Sequence, residues 1–144
     1  MNTFTVKDIM DRKPCPDYTE EVVTELWKDK KSLTFKEVCS LNIDTEDRIW
    51  IAVRLASKAT VVSWANYCAD EAQKHAAATA TASWAAAAAT YAAAAADAAA
   101  AYAAAAATYA AAAAAAADAD ANRKTAKNKE LKRLLKKLVE MNIK

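Results

Sequence analysis

The side chains that could do chemistry are few and scattered. His75 is the only histidine. A three-histidine metal site is excluded, and no serine or acid motif around His75 builds a nucleophile and base. Cys15, Cys39 and Cys68 are widely spaced and odd in number. With no Cys-x-x-Cys pair, neither a zinc ligand set nor a redox motif is supported. Reduced, partly buried thiols in a cytoplasm are expected instead. The chain has no glycine, so no Gly-rich loop exists to cradle a phosphate. Glu46 and Asp47 are neighbouring acids, but adjacent helical positions diverge by about 100°. They read as first-turn charges facing a helix dipole. The expectation is a protein without catalytic residues, metal or cofactor.

Arg48 and Arg54 are the best candidates for a ligand contact, because two guanidinium groups can hold an anion. The bland alternative is ion pairing with Glu46, Asp47 or Asp70. Six residues apart on one helix, the two arginines point about 120° apart. A shared anion would need a second element or a second subunit between them. Net charge is only +2, but it is unevenly spread. Residues 1–75 carry −2, residues 76–121 carry −3 and residues 122–144 carry +7. Lys132, Arg133, Lys136 and Lys137 could meet nucleic acid through this basic end. A solvated face is the preferred reading, and nucleic acid is not an expected partner.

These groups must be positioned by helices. Pro occurs only at Pro14 and Pro16, and without Gly the tight turns of a hairpin-rich sheet are scarce. Thr5-Val6-Lys7-Asp8 resembles a capping box for a helix to about Arg12. Pro14-Cys15-Pro16 then forces an extended link. Thr19 can cap a helix over about Glu20–Lys30, and Thr34-Phe35-Lys36-Glu37 opens another to about Ser40. Thr45 can cap Glu46–Ala56, and Ser57 the helix carrying Val61, Val62, Trp64 and Tyr67. Residues 1–75 therefore read as four or five short helices around a small Trp-centred core. A last helix, about Arg123–Asn142, places Leu131, Leu134, Leu138 and Met141 at a/d spacing.

Between them, 34 of the 46 residues from Ala76 to Ala121 are alanine, the best helix former. The exceptions are ordered. Trp84, Tyr91, Tyr102 and Tyr109 are spaced 7, 11 and 7. Thr79, Thr90, Asp97 and Thr108 are spaced 11, 7 and 11. Both series repeat after 18 residues, or about five turns, so each forms a stripe on one helix. The tract is expected as one long helix of roughly 70 Å, ending near Asp118–Asn122 where turn-forming residues gather. A lone exposed helix is only marginally stable in water. Either the C-terminal helix folds back onto the tract or copies of the chain pack their tracts together, or both; packing of copies through the aromatic stripe, as a homo-oligomer, is the preferred reading. The threonine stripe has a sharper alternative. Thr79, Thr90 and Thr108 on an alanine helix resemble the helical antifreeze proteins of fish, which would imply ice binding. The tract is no convincing membrane span, because alanine is barely apolar and Asp97 interrupts it. The first residues carry Lys7, Asp8, Asp11, Arg12 and Lys13, unlike a signal peptide.

Three segments carry a wider resemblance. They are Lys13-Pro14-Cys15 with Tyr18, Glu46-Asp47-Arg48-Ile49-Trp50-Ile51-Ala52-Val53-Arg54, and Trp64-Ala65-Asn66-Tyr67-Cys68-Ala69-Asp70-Glu71-Ala72. Followed by an Ala-rich tract and a Lys/Leu-rich helix, they resemble a family of small alanine-rich phage and prophage proteins, some labelled immunity proteins. The resemblance implies an all-α phage protein acting in the cytoplasm of a bacterial host. Its partner would be a host defence protein or an anionic nucleotide signal, which it would block or sequester. The organisation expected is a helical head (1–75), an Ala-rich long helix (76–121) and a basic amphipathic helix (122–144).

Overall fold

The computed structural model describes residues 2–74, 79–94, 99–117 and 123–143. The chain is all-α and about 75% helical. A short strand β1 (Thr3–Phe4) leads into α1 (Val6–Met10) and α2 (Glu20–Trp27). Strand β2 (Leu33–Thr34), α3 (Phe35–Val38), α4 (Thr45–Leu55) and α5 (Lys58–Gln73) complete the head. The tract supplies α6 (Thr79–Ala94) and α7 (Ala99–Ala117), and α8 (Arg123–Ile143) closes the fold.

Hydroxyl caps set the helix starts. Thr5 and Asp8 form a reciprocal capping box on α1, and Thr34 and Glu37 form another on α3. Thr19 accepts from the Val22 amide and Ser57 from the Thr60 amide. On α4 the boundary differs from expectation. Asp44 is the N-cap and makes no side-chain cap bond, while Thr45 lies inside the helix and is buried. The helices α1, α2 and α3 also end two or three residues early. In α2 the stop is Lys28, whose φ of 47° is left-handed. Lys13 and Asp29 also adopt positive φ. A chain without glycine thus places ordinary residues in a conformation that costs each roughly 1–2 kcal/mol. The antiparallel pairing of Thr3 with Thr34 and Phe4 with Leu33 carries no sequence signal of its own, because each strand is only two residues long.

The alanine tract corrects the expectation of one long helix. α6 and α7 run antiparallel, with Trp84 against Tyr109 (ring centroids 5.8 Å apart) and Tyr91 against Tyr102 (5.3 Å). The spacing 7, 11, 7 is a palindrome, so it serves a helical stripe and a folded-back pair equally well. Packing decides between them. Ala85, Ala89, Ala92, Ala103, Ala106, Ala107, Ala110 and Ala111 are buried, where a straight rod would leave them wet. Asp97, the expected break near Asp118–Asn122 and His75 lie outside the described residues.

The core has two parts. Ile9, Val23, Trp27, Leu33, Val38 and Ile51 form one cluster within the head. The other runs from Ile49, Val53, Val61 and Trp64 through the alanines to Leu131, Leu134, Leu135 and Leu138. Helix α4 stands between them, turning Ile51 to the first and Ile49, Ala52 and Val53 to the second. Each buried alanine methyl contributes only about 0.8 kcal/mol, but small side chains let backbones approach closely and dispersion sum over many atoms.

Candidate functional site

The head holds an apolar cavity of about 80 Å³. Pro14, Cys15 and Tyr18 wall it from the link between α1 and α2; Asp47, Trp50 and Ile51 wall it from α4. The extended link follows from the two prolines, and the α4 side from helical spacing, since positions 47, 50 and 51 share a face. The Tyr18 hydroxyl donates to Asp47 Oδ2 at 2.6 Å. Burial, reinforced by that bond and by the Asp47 charge, holds the Tyr18 phenol above its usual pKa. The Cys15 thiol is exposed and faces Asp17 Oδ2 at 3.7 Å. This arrangement offers apolar volume for a small group and a carboxylate–phenol pair at its edge.

Two of the three segments singled out in the sequence therefore meet at one place. Nothing in their spacing signals it, because Tyr18 and Asp47 are 29 residues apart. The third segment does a different job. Trp64 is fully buried and its indole Nε1 donates to the Leu134 carbonyl at 2.7 Å. Glu71 is buried and accepts from Arg133 at 2.7 Å and from Lys74 at 2.8 Å. Arg133 also bonds the Tyr67 hydroxyl and Glu130. The segment is the dock for α8.

Burial raises the Glu71 pKa, but the bonds from Lys74 and Arg133 outweigh it, and the carboxyl is held below its ordinary 4.5. A depressed carboxylate contributes stability above its unfolded pKa and loses it as pH falls through the folded value. Acidification below about 4.5 should therefore loosen α8 from α5. The melting temperature of Glu71→Gln should lie below that of the native chain at neutral pH and converge on it as the carboxyl protonates. A constant gap down to acid pH would assign the loss to packing.

Arg48 and Arg54 line neither this cavity nor the polar cleft between the starts of α4 and α8. Arg48 donates to Thr45 Oγ1 at 3.0 Å. Arg54 lies 4.0 Å from the Trp50 ring centroid and donates to the Trp50 carbonyl at 2.9 Å. Burial lowers its pKa. Among the described residues neither forms an ion pair with Glu46, Asp47 or Asp70, so the ion-pair reading gives way to hydrogen bonds and stacking, with Arg48 Nε buried and unpartnered. Glu46 instead pairs with Lys127 at 3.4 Å.

The aromatic stripe survives as an intramolecular ladder with an open side. Trp84 is 57% exposed, Tyr91 58% and Tyr102 38%, while Tyr109 is half-buried. The threonine stripe is divided. Thr90 lies on α6 and Thr108 on α7, and their hydroxyls donate to the Ala86 and Ala104 carbonyls. The side chain of Thr79 lies outside the described residues. On the basic face, Lys137 sits 5.3 Å from the Tyr67 ring centroid and Arg133 is engaged as above, while Lys132 and Lys136 are exposed. Cys39 and Cys68 are buried free thiols, and burial pushes Cys39 up to about 12. Among the described residues no His, Cys, Asp and Glu cluster could hold a metal, and no helix is long and apolar enough to cross a membrane.

Fold and cavity together define an alanine-cored, all-α bundle with a small apolar pocket in its head. No family model, curated protein or solved structure matches the chain.

Proposed function

We propose that this chain is a non-enzymatic binding protein of phage type that blocks a host defence component in the bacterial cytoplasm, as a homo-oligomer. The head cavity is where it grips its target. The observation that carries this reading is the convergence of Pro14, Cys15 and Tyr18 with Asp47 and Trp50 on one open apolar hollow. Its volume is well below the roughly 150 Å³ that accommodates a benzene ring, which favours a small aliphatic side chain of a protein over a nucleobase. Asp47 at the edge can accept from a donor beside that side chain. A protein target is therefore favoured over a nucleotide signal, and the engagement of Arg48 and Arg54 within the fold agrees. The ice-binding reading loses support because Thr90 and Thr108 sit on two antiparallel helices with their hydroxyls donating to backbone carbonyls.

Filling the cavity tests this. Ile43 is half-buried on its wall, and Ile43→Trp should occupy the hollow while leaving the circular dichroism spectrum intact. Expressed in bacteria carrying individual antiviral systems, the native chain should restore phage plating against at least one, and Ile43→Trp should fall to the empty-vector level. A folded Ile43→Trp protein with full protection would overturn the assignment of the cavity.

A further inference from the structure

The outer face of the α6–α7 hairpin is unlike an ordinary protein surface. From residue 79 to 117 the only charged side chain is Asp97. The face nevertheless exposes Trp84 and Tyr91, each more than half open to solvent. Exposed aromatics on an uncharged surface mark an interaction site. We infer that this face pairs with the same face of a second copy, around a twofold axis passing between the two aromatic pairs. The inference rests on the homo-oligomer proposed above and deepens it by placing the contact on the open side of the α6–α7 hairpin and giving its symmetry.

Size, charge and shape single out the occupant. At 1.5 Å per residue, α6 is about 24 Å long, and two helices side by side are about 20 Å across. The face is then roughly 500 Å², and two copies together bury on the order of 1,000 Å², the lower bound of a specific interface. The described residues of α6 and α7 carry no charge for a foreign partner to recognise, whereas an identical face matches them without a charged group of its own. The shape is self-complementary. Trp84 with Tyr109 and Tyr91 with Tyr102 form two ridges about 10 Å apart along the helices. A twofold lying in the plane of contact and displaced by about a quarter of that spacing from the midpoint seats one ridge of each copy in the gap of its mate, an isologous contact that closes at two subunits.

Sedimentation equilibrium should give twice 15.4 kDa with a micromolar dissociation constant, as befits a small interface. Trp84→Lys together with Tyr91→Lys should raise that constant about 30-fold or more, because each replaces a central aromatic anchor by a charge. A photo-crosslinking amino acid at position 84, in a mixture of ¹⁵N-labelled and unlabelled chains, keeps the test open if the double variant unfolds. Trypsin cannot cut between Lys74 and Arg123, so the expected product is a mixed-isotope dimer of peptide 75–123. A monomer throughout the micromolar range, an assembly insensitive to the lysines, or crosslinks to α2, α4 or α8 would each overturn the inference. The cavity reading is judged separately, because Ile43→Trp leaves this face untouched.

Discussion

Trp64→Ala should destabilise the chain by about 3–5 kcal/mol, the cost of emptying a large buried aromatic site. Against a total of about 5–15 kcal/mol for a domain, that leaves a marginal fold. The reason is position as much as size. Trp64 has no exposed surface and ties α5 to the Leu134 carbonyl, 70 residues away. It packs in the cluster where α4, α7 and α8 meet α5. Trp64→Phe separates the two contributions. Its ring fills most of the space but cannot donate, so it should cost about 1–2 kcal/mol, near the value of one hydrogen bond. Urea midpoints of the two variants measure this, and equal slopes would show that the unfolded state is unchanged. Equal losses for Phe and Ala would mean that the indole bond, and not the packing, holds α8.

Ala107→Leu should cost about 1–3 kcal/mol or more, while Ala101→Leu on the same helix should be neutral within about 0.5 kcal/mol. Ala107 is fully buried in the cluster that joins α7 to its neighbours, whereas Ala101 faces solvent. At position 107 three extra carbons force the helices apart and cost the buried alanines around it their contacts. At position 101 leucine enters water with almost the same helix propensity as alanine. Thermal unfolding of both variants checks this, since a 1 kcal/mol change shifts the midpoint by about 2–8 °C for domains of this size class. If both were neutral, α7 would not be close-packed in solution. A loss at position 101 would show that this flank of α7, about 100° around the helix from the aromatic at Tyr102, is covered as well.

Much of the secondary structure was legible in the residues themselves. Thr5, Thr19, Thr34 and Ser57 marked four helix starts, because a hydroxyl that satisfies an orphan amide acts over three residues. The absence of glycine together with the alanine content implied an all-α chain, because helix propensity is also local. The leucines of α8 announced a buried stripe, and Leu131, Leu134 and Leu138 are indeed buried.

Tertiary structure alone decided how those helices meet. In the tract, a spacing of 7, 11 and 7 is the same for a straight stripe as for a folded-back ladder, and one alanine carries no mark that tells position 101 from position 107. The choice rests on the area that α5, α7 and α8 remove from water together, a sum over distant contacts. Arg48 and Arg54 looked like ligand contacts because their partners could not be read. Those partners, Thr45 and the Trp50 ring and carbonyl, are within the same helix, but rotamer and burial select them over Glu46, Asp47 or Asp70. The head cavity is the clearest case. Tyr18 and Asp47 were each visible, yet only the packing of α2 and α3 against α4 leaves an apolar hollow between them. A hollow is a shortfall of packing, and it belongs to no residue in particular.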